Sequence, residues 1–227
     1  MPTTPTPPIF REQWPEFASV AARMMIKRRA VIFHQGDEVE AVYFISRGDV
    51  KLPRVEVGGR EVILSLRRPG AMLGVATAIA EKPYEMSAVA SSECVIERIP
   101  IGAFAEIVKN DKHLCWRVAQ VACRNSLEIA AHMTRINELS ARERLEYVLG
   151  QFLSEQCGDA APSSGVRLSL PVSDKEMAQM ISVAPQYLCE ILAELMGEGV
   201  VRREGRKRLD VIASQRLQRL DRGANGH

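Results

Sequence analysis

Apolar and polar positions follow two different periods along this chain. Between about Arg28 and Ile101 short apolar runs recur: Ala30–Phe33, Ala41–Ser46, Asp49–Val57, Glu61–Leu66, Met86–Ala90 and Cys94–Ile99. Turn-forming groups separate them at Gln35-Gly36-Asp37, Arg47-Gly48-Asp49, Gly58-Gly59 and Pro69-Gly70. Many short strands at this spacing predict a β-sandwich or barrel rather than a βαβ fold. The segment Gly70–Tyr84 predicts a short helix that interrupts the strands. From about Asp111 to Leu139 the sequence lacks Pro and Gly and switches to a helical period. Val118, Ala122, Asn125, Ile129, His132, Ile136 and Leu139 recur at alternating steps of four and three. That spacing makes a heptad-like seam suited to a parallel partner helix. Packing of the same stripe on the chain's own barrel is the alternative. At about 1.5 Å per residue the helix would outrun one small barrel, which favours the partner. Asn125 and His132 are the polar positions of the seam, able to fix its register or to touch a ligand. Leu139-Ser140-Ala141 ends it, and Arg142–Gln156 begins another helix.

The segment Leu170–Leu209 carries the most specific pattern. Ser173 precedes a helix and Glu176 follows three residues later, so each side chain can satisfy an orphan amide of the first turn. Met177, Ala178 and Ile181 give this helix one apolar face. Ser182-Val183-Ala184 forms a tight turn, and Pro185 suits the first position of the next helix. Leu188, Ile191, Leu192 and Leu195 face inward at i, i+3, i+4 and i+7. Gly197 and Gly199 stop that helix, and Gln186, Tyr187 and Glu190 are left pointing outward. Val200–Arg203 and Arg206–Val211 alternate around Glu204-Gly205, which predicts a β-hairpin. Two helices around a tight turn, followed by a basic hairpin, make a winged helix-turn-helix, a shape that fits the DNA major groove.

Composition narrows the picture further. A length of 227 residues favours two modest domains. The formal charge of +2 is too small for whole-chain polyanion binding. Residues 166–222 hold ten Lys/Arg against eight Asp/Glu, whereas residues 1–165 hold twenty of each, so the excess lies in the winged segment. The hairpin tip, Arg202–Arg208, carries five cations and one anion, enough to grip phosphates of a flanking backbone. No apolar run reaches the ~20 residues of a membrane span. Met1–Phe10 lacks the basic and apolar regions of a signal peptide, so the expected location is cytoplasmic, with no membrane partner. Its Pro/Thr repetition predicts a disordered lead. The five cysteines (Cys94, Cys115, Cys123, Cys157, Cys189) form no CxxC pair, which predicts reduced and mostly buried thiols rather than zinc or disulfides. No nucleophile–base spacing, P-loop or dinucleotide glycine motif appears, so an enzyme is not expected.

The run Phe33-His34-Gln35-Gly36-Asp37-Glu38-Val39-Glu40-Ala41-Val42-Tyr43-Phe44-Ile45-Ser46-Arg47-Gly48-Asp49-Val50-Lys51-Leu52 resembles the opening of cyclic-nucleotide-binding domains. Joined to the winged helix, the chain resembles the CRP/FNR family of bacterial transcription regulators over roughly Met25 to Leu217. The resemblance implies an α+β protein: an N-terminal double-stranded β-helix (jelly roll) sensor, a long dimerisation helix and a C-terminal winged helix-turn-helix. The expected boundaries are a disordered lead over 1–14, the barrel over 15–110, the dimer helix over 111–139, the DNA-binding domain over 140–213 and a tail over 214–227. It further implies a homodimer on an inverted-repeat promoter site, controlled by a small effector. RNA polymerase is a candidate partner at the loop 158–165.

In nucleotide-binding members a Gly-Glu pair holds the ribose hydroxyls, and an Arg-Ser-Ala holds the cyclic phosphate. Here Gly74-Val75 and Met86-Ser87-Ala88 stand at those positions. Loss of both charged groups leaves a buried phosphate poorly compensated and argues against cyclic AMP. The candidate effector pocket comprises Gly74, Val75, Met86, Ser87, Asn125, Ile129 and His132. Haem is an alternative cofactor, with His34, Met86, Cys94, His113 and His132 as the available ligands. The family's recognition helix commonly carries Arg-Glu and a further Arg, where this chain has Pro185, Gln186 and Glu190. Gln186 can read adenine, Tyr187 a phosphate or thymine methyl, and Glu190 cytosine. Ser173, Lys175, Arg202, Arg203, Arg206 and Lys207 are the expected phosphate contacts. A ligand-binding adaptor whose DNA helix has decayed is the competing function.

Overall fold

The five apolar residues Ala41–Ile45 are all buried because both faces of their strand are covered. Side chains alternate across a strand. Ala41, Tyr43 and Ile45 point into one core with Val50, Leu73, Ala88 and Ile96. Val42 and Phe44 point into a second with Met72, Ile99, Phe104, Leu114 and Val118. The first core lies within the barrel, and the second joins it to helices.

This arrangement comes from a computed structural model, which describes residues 10–157, 165–205, 208–212 and 217. The chain forms two compact units, Met1–His132 and Met133–His227. In the first, one antiparallel sheet contains β1 (Ala22–Ile26), β8 (Cys94–Pro100), β3 (Ala41–Arg47) and β6 (Met72–Leu73), in that order. The second contains β2 (Val31–Phe33), β7 (Ala88–Ala90), β4 (Val50–Val55) and β5 (Glu61–Arg67). Two four-stranded antiparallel sheets enclosing one core make the expected jelly roll. The β3–β4 turn depends on Gly48, whose φ is +85°. A Cβ there would lie 2.4 Å from the Glu93 carbonyl oxygen, so only glycine fits.

Helices α1 (Phe10–Gln13), α2 (Val75–Ala80), α3 (Ile101–Asn110) and α4 (Lys112–Glu138) complete the first unit's elements; α4 runs across the boundary between units. The expected disordered lead over 1–14 is corrected at its end. Phe10 and Trp14 are only 3% and 6% exposed, and the Phe10 ring lies 5.1 Å from that of Phe44. Arg117 on α4 holds this segment through Glu16 at 2.7 Å, the Gln13 carbonyl and the face of Trp14. The aromatic pair outweighs the Pro/Thr composition around it. Residues 1–9 lie outside the described residues.

The second unit contains α5 (Ala141–Cys157), α6 (Asp174–Met180) and α7 (Pro185–Gly197). Its three-stranded sheet is ordered β10 (Val201–Arg203), β11 (Arg208–Val211), β9 (Val166–Ser169). The break before α5 is a reciprocal cap: the Ser140 amide donates to Glu143 at 2.8 Å, and the Glu143 amide donates back to the Ser140 hydroxyl at 3.3 Å. Donation from the Ser140 hydroxyl at 2.7 Å, with the Ser140 amide adding to it, holds the Glu143 carboxyl below the usual carboxylate range. The division between units falls between His132 and Met133, inside α4, rather than at Leu139. Among the described residues no helix is long and apolar enough to cross a membrane.

Candidate DNA-reading face and effector cassette

The reader begins with the Ser173 cap. Its hydroxyl accepts from the Glu176 amide and donates to Glu176 Oε2 at 2.7 Å, while its own amide donates to the same carboxylate at 2.8 Å. The predicted capping box is present. The part-buried Ser173 hydroxyl thus bonds Glu176 in this structure. Ser182, at φ +54°, turns the chain between α6 and α7. Leu188, Ile191, Leu192 and Leu195 are buried under α7, which leaves Gln186, Tyr187, Cys189, Glu190, Ala193 and Glu194 exposed. Helix α7 carries acids and no cation on its outward face.

Among the described residues of the hairpin, Arg202 and Arg203 pair with carboxylates of the same chain. Arg203 donates to both oxygens of Asp174 at 2.7 Å, tying β10 to the first turn of α6. With a side chain 26% exposed, Arg203 pairs with Asp174 in this structure and links the wing to α6. Arg202 pairs with Asp210 at 3.0 Å while 69% exposed, and so can still exchange its partner for a phosphate. Arg202, with Arg167 adding to it, holds the Asp210 carboxyl below its ordinary range. Lys175 is exposed in the first turn of α6. Arg206 and Lys207 lie outside the described residues, as do residues 158–164 of the loop expected to meet RNA polymerase.

The candidate effector residues do not form one lining. Gly74 caps α2 with φ +77°, and a Cβ there would lie 2.9 Å from the Tyr84 ring. That ring stacks on Phe33 at 3.8 Å, and its hydroxyl donates to the Ala41 carbonyl at 2.6 Å. Burial pushes the Tyr84 hydroxyl pKa well up, so it stays a neutral donor. Val75 faces the helix-side core instead, whereas Met86 packs on the barrel core. The Ser87 hydroxyl accepts from the Gln35 amide at 2.9 Å. Asn125 donates to the Met72 carbonyl at 3.2 Å, His132 is buried and Ile129 half-buried. The space beside Gly74 is taken by an aromatic ring, and no guanidinium or carboxylate stands at the clamp positions. These residues do not fit a cyclic phosphate.

The long helix requires a further correction. Val118 and Ala122, expected in the dimer seam, are buried in the chain's own core beside Phe44 and Met72. Asn125 is bonded to the same barrel. The seam's later members Ile129, Ile136 and Leu139 are half-buried. A 4-3 spacing specifies a stripe without saying what covers it. The opposite side of α4 carries a second stripe at the same steps: Trp116, Gln120, Cys123, Leu127 and Ala130, all exposed, with Trp116 at 67% and Leu127 at 70%. The cysteines also differ from expectation. Cys94 is buried, whereas Cys115, Cys123 and Cys189 are exposed, and burial pushes the Cys94 thiol pKa up. Of the positions weighed as haem ligands, His34 and His113 are exposed, while the Cys94 thiol donates to the Asp49 carbonyl at 3.4 Å. Among the described residues no group of three or more His, Cys, Asp or Glu could hold a metal.

Comparison with known proteins agrees with this architecture. Residues 23–111 match the cyclic nucleotide-binding domain, and residues 143–220 match the Crp-like helix-turn-helix domain. The chain belongs to the CRP/FNR family of transcription regulators. It is 25% identical over 199 residues to the cyclic AMP receptor protein of Thermus thermophilus, covering 86% of this chain and 88% of that one. The global nitrogen regulator of Synechocystis is 26% identical over 170 residues, covering 74% and 75%. The solved structure of FixK2 from Bradyrhizobium japonicum shares the fold at TM-score 0.76 and 17% identity, covering 88% of this chain and 97% of that one. This CRP/FNR protein is therefore a DNA-binding transcription regulator, and a homodimer is typical of its family. Its relatives are regulators rather than enzymes.

Proposed function

We propose that this regulator dimerises through the outward stripe of α4 and reads an inverted-repeat promoter site with Gln186, Tyr187 and Glu190. The observation that carries the reading is the exposed, cation-free face of α7 above a fully buried apolar face. A two-fold dimer sets two such helices about one turn of DNA apart, which dictates the repeat. Trp116, Cys123, Leu127 and Ala130 supply the apolar stripe that a parallel partner helix covers. Gln186 pairs with adenine and Glu190 accepts from cytosine N4. Lys175, Arg202, Arg206 and Lys207 hold the phosphates, and Arg203 braces the wing. The protein acts in the cytoplasm, where promoter DNA and RNA polymerase are found. Cyclic AMP is not its effector, because Val75 and Met86 offer its phosphate and ribose no charged partner.

Selection from a random DNA pool with the purified full chain tests this reading. Enrichment of one inverted repeat is expected, with Leu127→Glu abolishing the discrete gel-shift complex. Failure to enrich any sequence at low or moderate salt would instead support a ligand-binding adaptor, the function suggested by Pro185 and the acidic α7.

A further inference from the structure

A charged link joins β5 to α4. Arg67, the last residue of β5, is buried, with its side chain only 8% exposed. One arm of its guanidinium donates to Glu128 on α4, and the other donates to the Asn125 carbonyl at 3.4 Å. The Asn125 side chain in turn donates to the Met72 carbonyl on β6 at 3.2 Å. One turn of α4 is thus tied to both sheets of the barrel. Glu128 is 52% exposed, so water reaches the carboxylate while the guanidinium is enclosed.

The energetics of this link are lopsided. A buried guanidinium that loses its carboxylate is left with an uncompensated charge. Rotating α4 or sliding it by one turn would strand Arg67 in this way. The same rotation would pull Leu114, Val118 and Ala122 out of the core they share with Phe44 and Met72. The clasp therefore fixes which side of α4 faces outward, and that side is the stripe of Trp116, Cys123 and Leu127.

We propose that the Arg67–Glu128–Asn125 clasp takes the place of an effector, holding α4 in its dimer-forming rotation with no small molecule bound. The Tyr84 ring agrees with this, since it lies against Gly74, where nucleotide-binding members carry their Gly-Glu pair. The inference rests on the reading that α4's outward stripe is the dimer interface.

The test uses the full-length chain, unfolded in denaturant, desalted and refolded so that any co-purified small molecule is lost. Sedimentation and binding to the DNA enriched by the wild type are then measured without additives. The wild type remains a dimer and keeps its DNA affinity. Glu128→Gln, a change at a half-exposed position, weakens dimerisation by about tenfold or more and speeds hydrogen exchange over residues 121–130. Arg67→Gln does the same, and a far-ultraviolet spectrum checks its fold. The double exchange Arg67→Glu with Glu128→Arg restores part of the loss. Refolded wild type that regains dimerisation or DNA binding only when a cell extract of small molecules is returned overturns the proposal. So does a Glu128→Gln chain that dimerises like the wild type while Leu127→Glu is monomeric. If Leu127→Glu also dimerises normally, the stripe reading fails instead, and faster exchange in Glu128→Gln then still separates a real clasp from none.

Discussion

The barrel and the reader treat their polar side chains in opposite ways. In the barrel unit the polar groups at and around the candidate effector positions bond within the chain. Tyr84 bonds Ala41, Ser87 bonds Gln35, Asn125 bonds Met72 and Arg67 pairs with Glu128. On α7 the side chains at the reading positions stand exposed above a closed apolar face. One region bonds its polar groups within the chain, and the other leaves them to solvent. A site is set as much by whether neighbouring side chains leave it vacant as by the residue types it contains.

The largest expected effect tests whether the cassette is filled. Tyr84→Ala removes a buried ring stacked on Phe33, and a loss of about 3–5 kcal/mol is expected in urea unfolding of the barrel. A loss below about 1 kcal/mol would mean that the space beside Gly74 is already open. Next comes the reader. Gln186→Ala and Glu190→Ala each relax preference at one base pair by about 1–3 kcal/mol, read from competition with single-base variants of the enriched site. Preference left intact by both would show that α7 does not read base edges.

A smaller difference separates the brace from the phosphate contacts within the reader. Lys175→Ala is expected to flatten the dependence of DNA affinity on salt by about one ion. Arg203→Ala, which breaks the pair with Asp174, leaves that slope unchanged while lowering affinity and wing stability. Equal slopes in the two variants would return Arg203 to the phosphates. The smallest effect concerns acid. Asp210 is held below its ordinary value by Arg202 and Arg167, so its folded form is the weaker base. Its contribution is complete above the unfolded carboxylate pKa and is lost as pH falls through the depressed value. Asp210→Asn should therefore lower stability of the second unit near neutrality and make little difference in strong acid, as followed by thermal melts.

Much of this fold was legible from local pattern. The strands at Ala41–Arg47, Val50–Val55, Glu61–Arg67 and Cys94–Pro100 lie where apolar runs and glycine turns predicted them. The Ser173 cap and the tight turn at Ser182 follow from side chains acting on their nearest backbone. Strand β1 escaped notice because it is a sheet edge with four exposed residues, which removes the alternation that marks a strand. Helix α1 was hidden by its Pro/Thr neighbourhood, since two aromatic rings sufficed to anchor it. Arg67 gave no signal at all, because a buried arginine looks like a surface one until its partner, sixty-one residues away, is placed beside it.

The sequence by itself determined the main strands of the barrel, the helix-turn-helix and the inward face of its second helix. These depend on spacing within about ten residues, where backbone geometry is already set by residue type. The tertiary structure decided which stripe of α4 is covered, which wing arginine ties to α6, and which polar groups near the effector cassette bond within the chain. Those outcomes depend on groups far apart in the chain meeting at one place. There the burial of a charge or a ring outweighs any local preference.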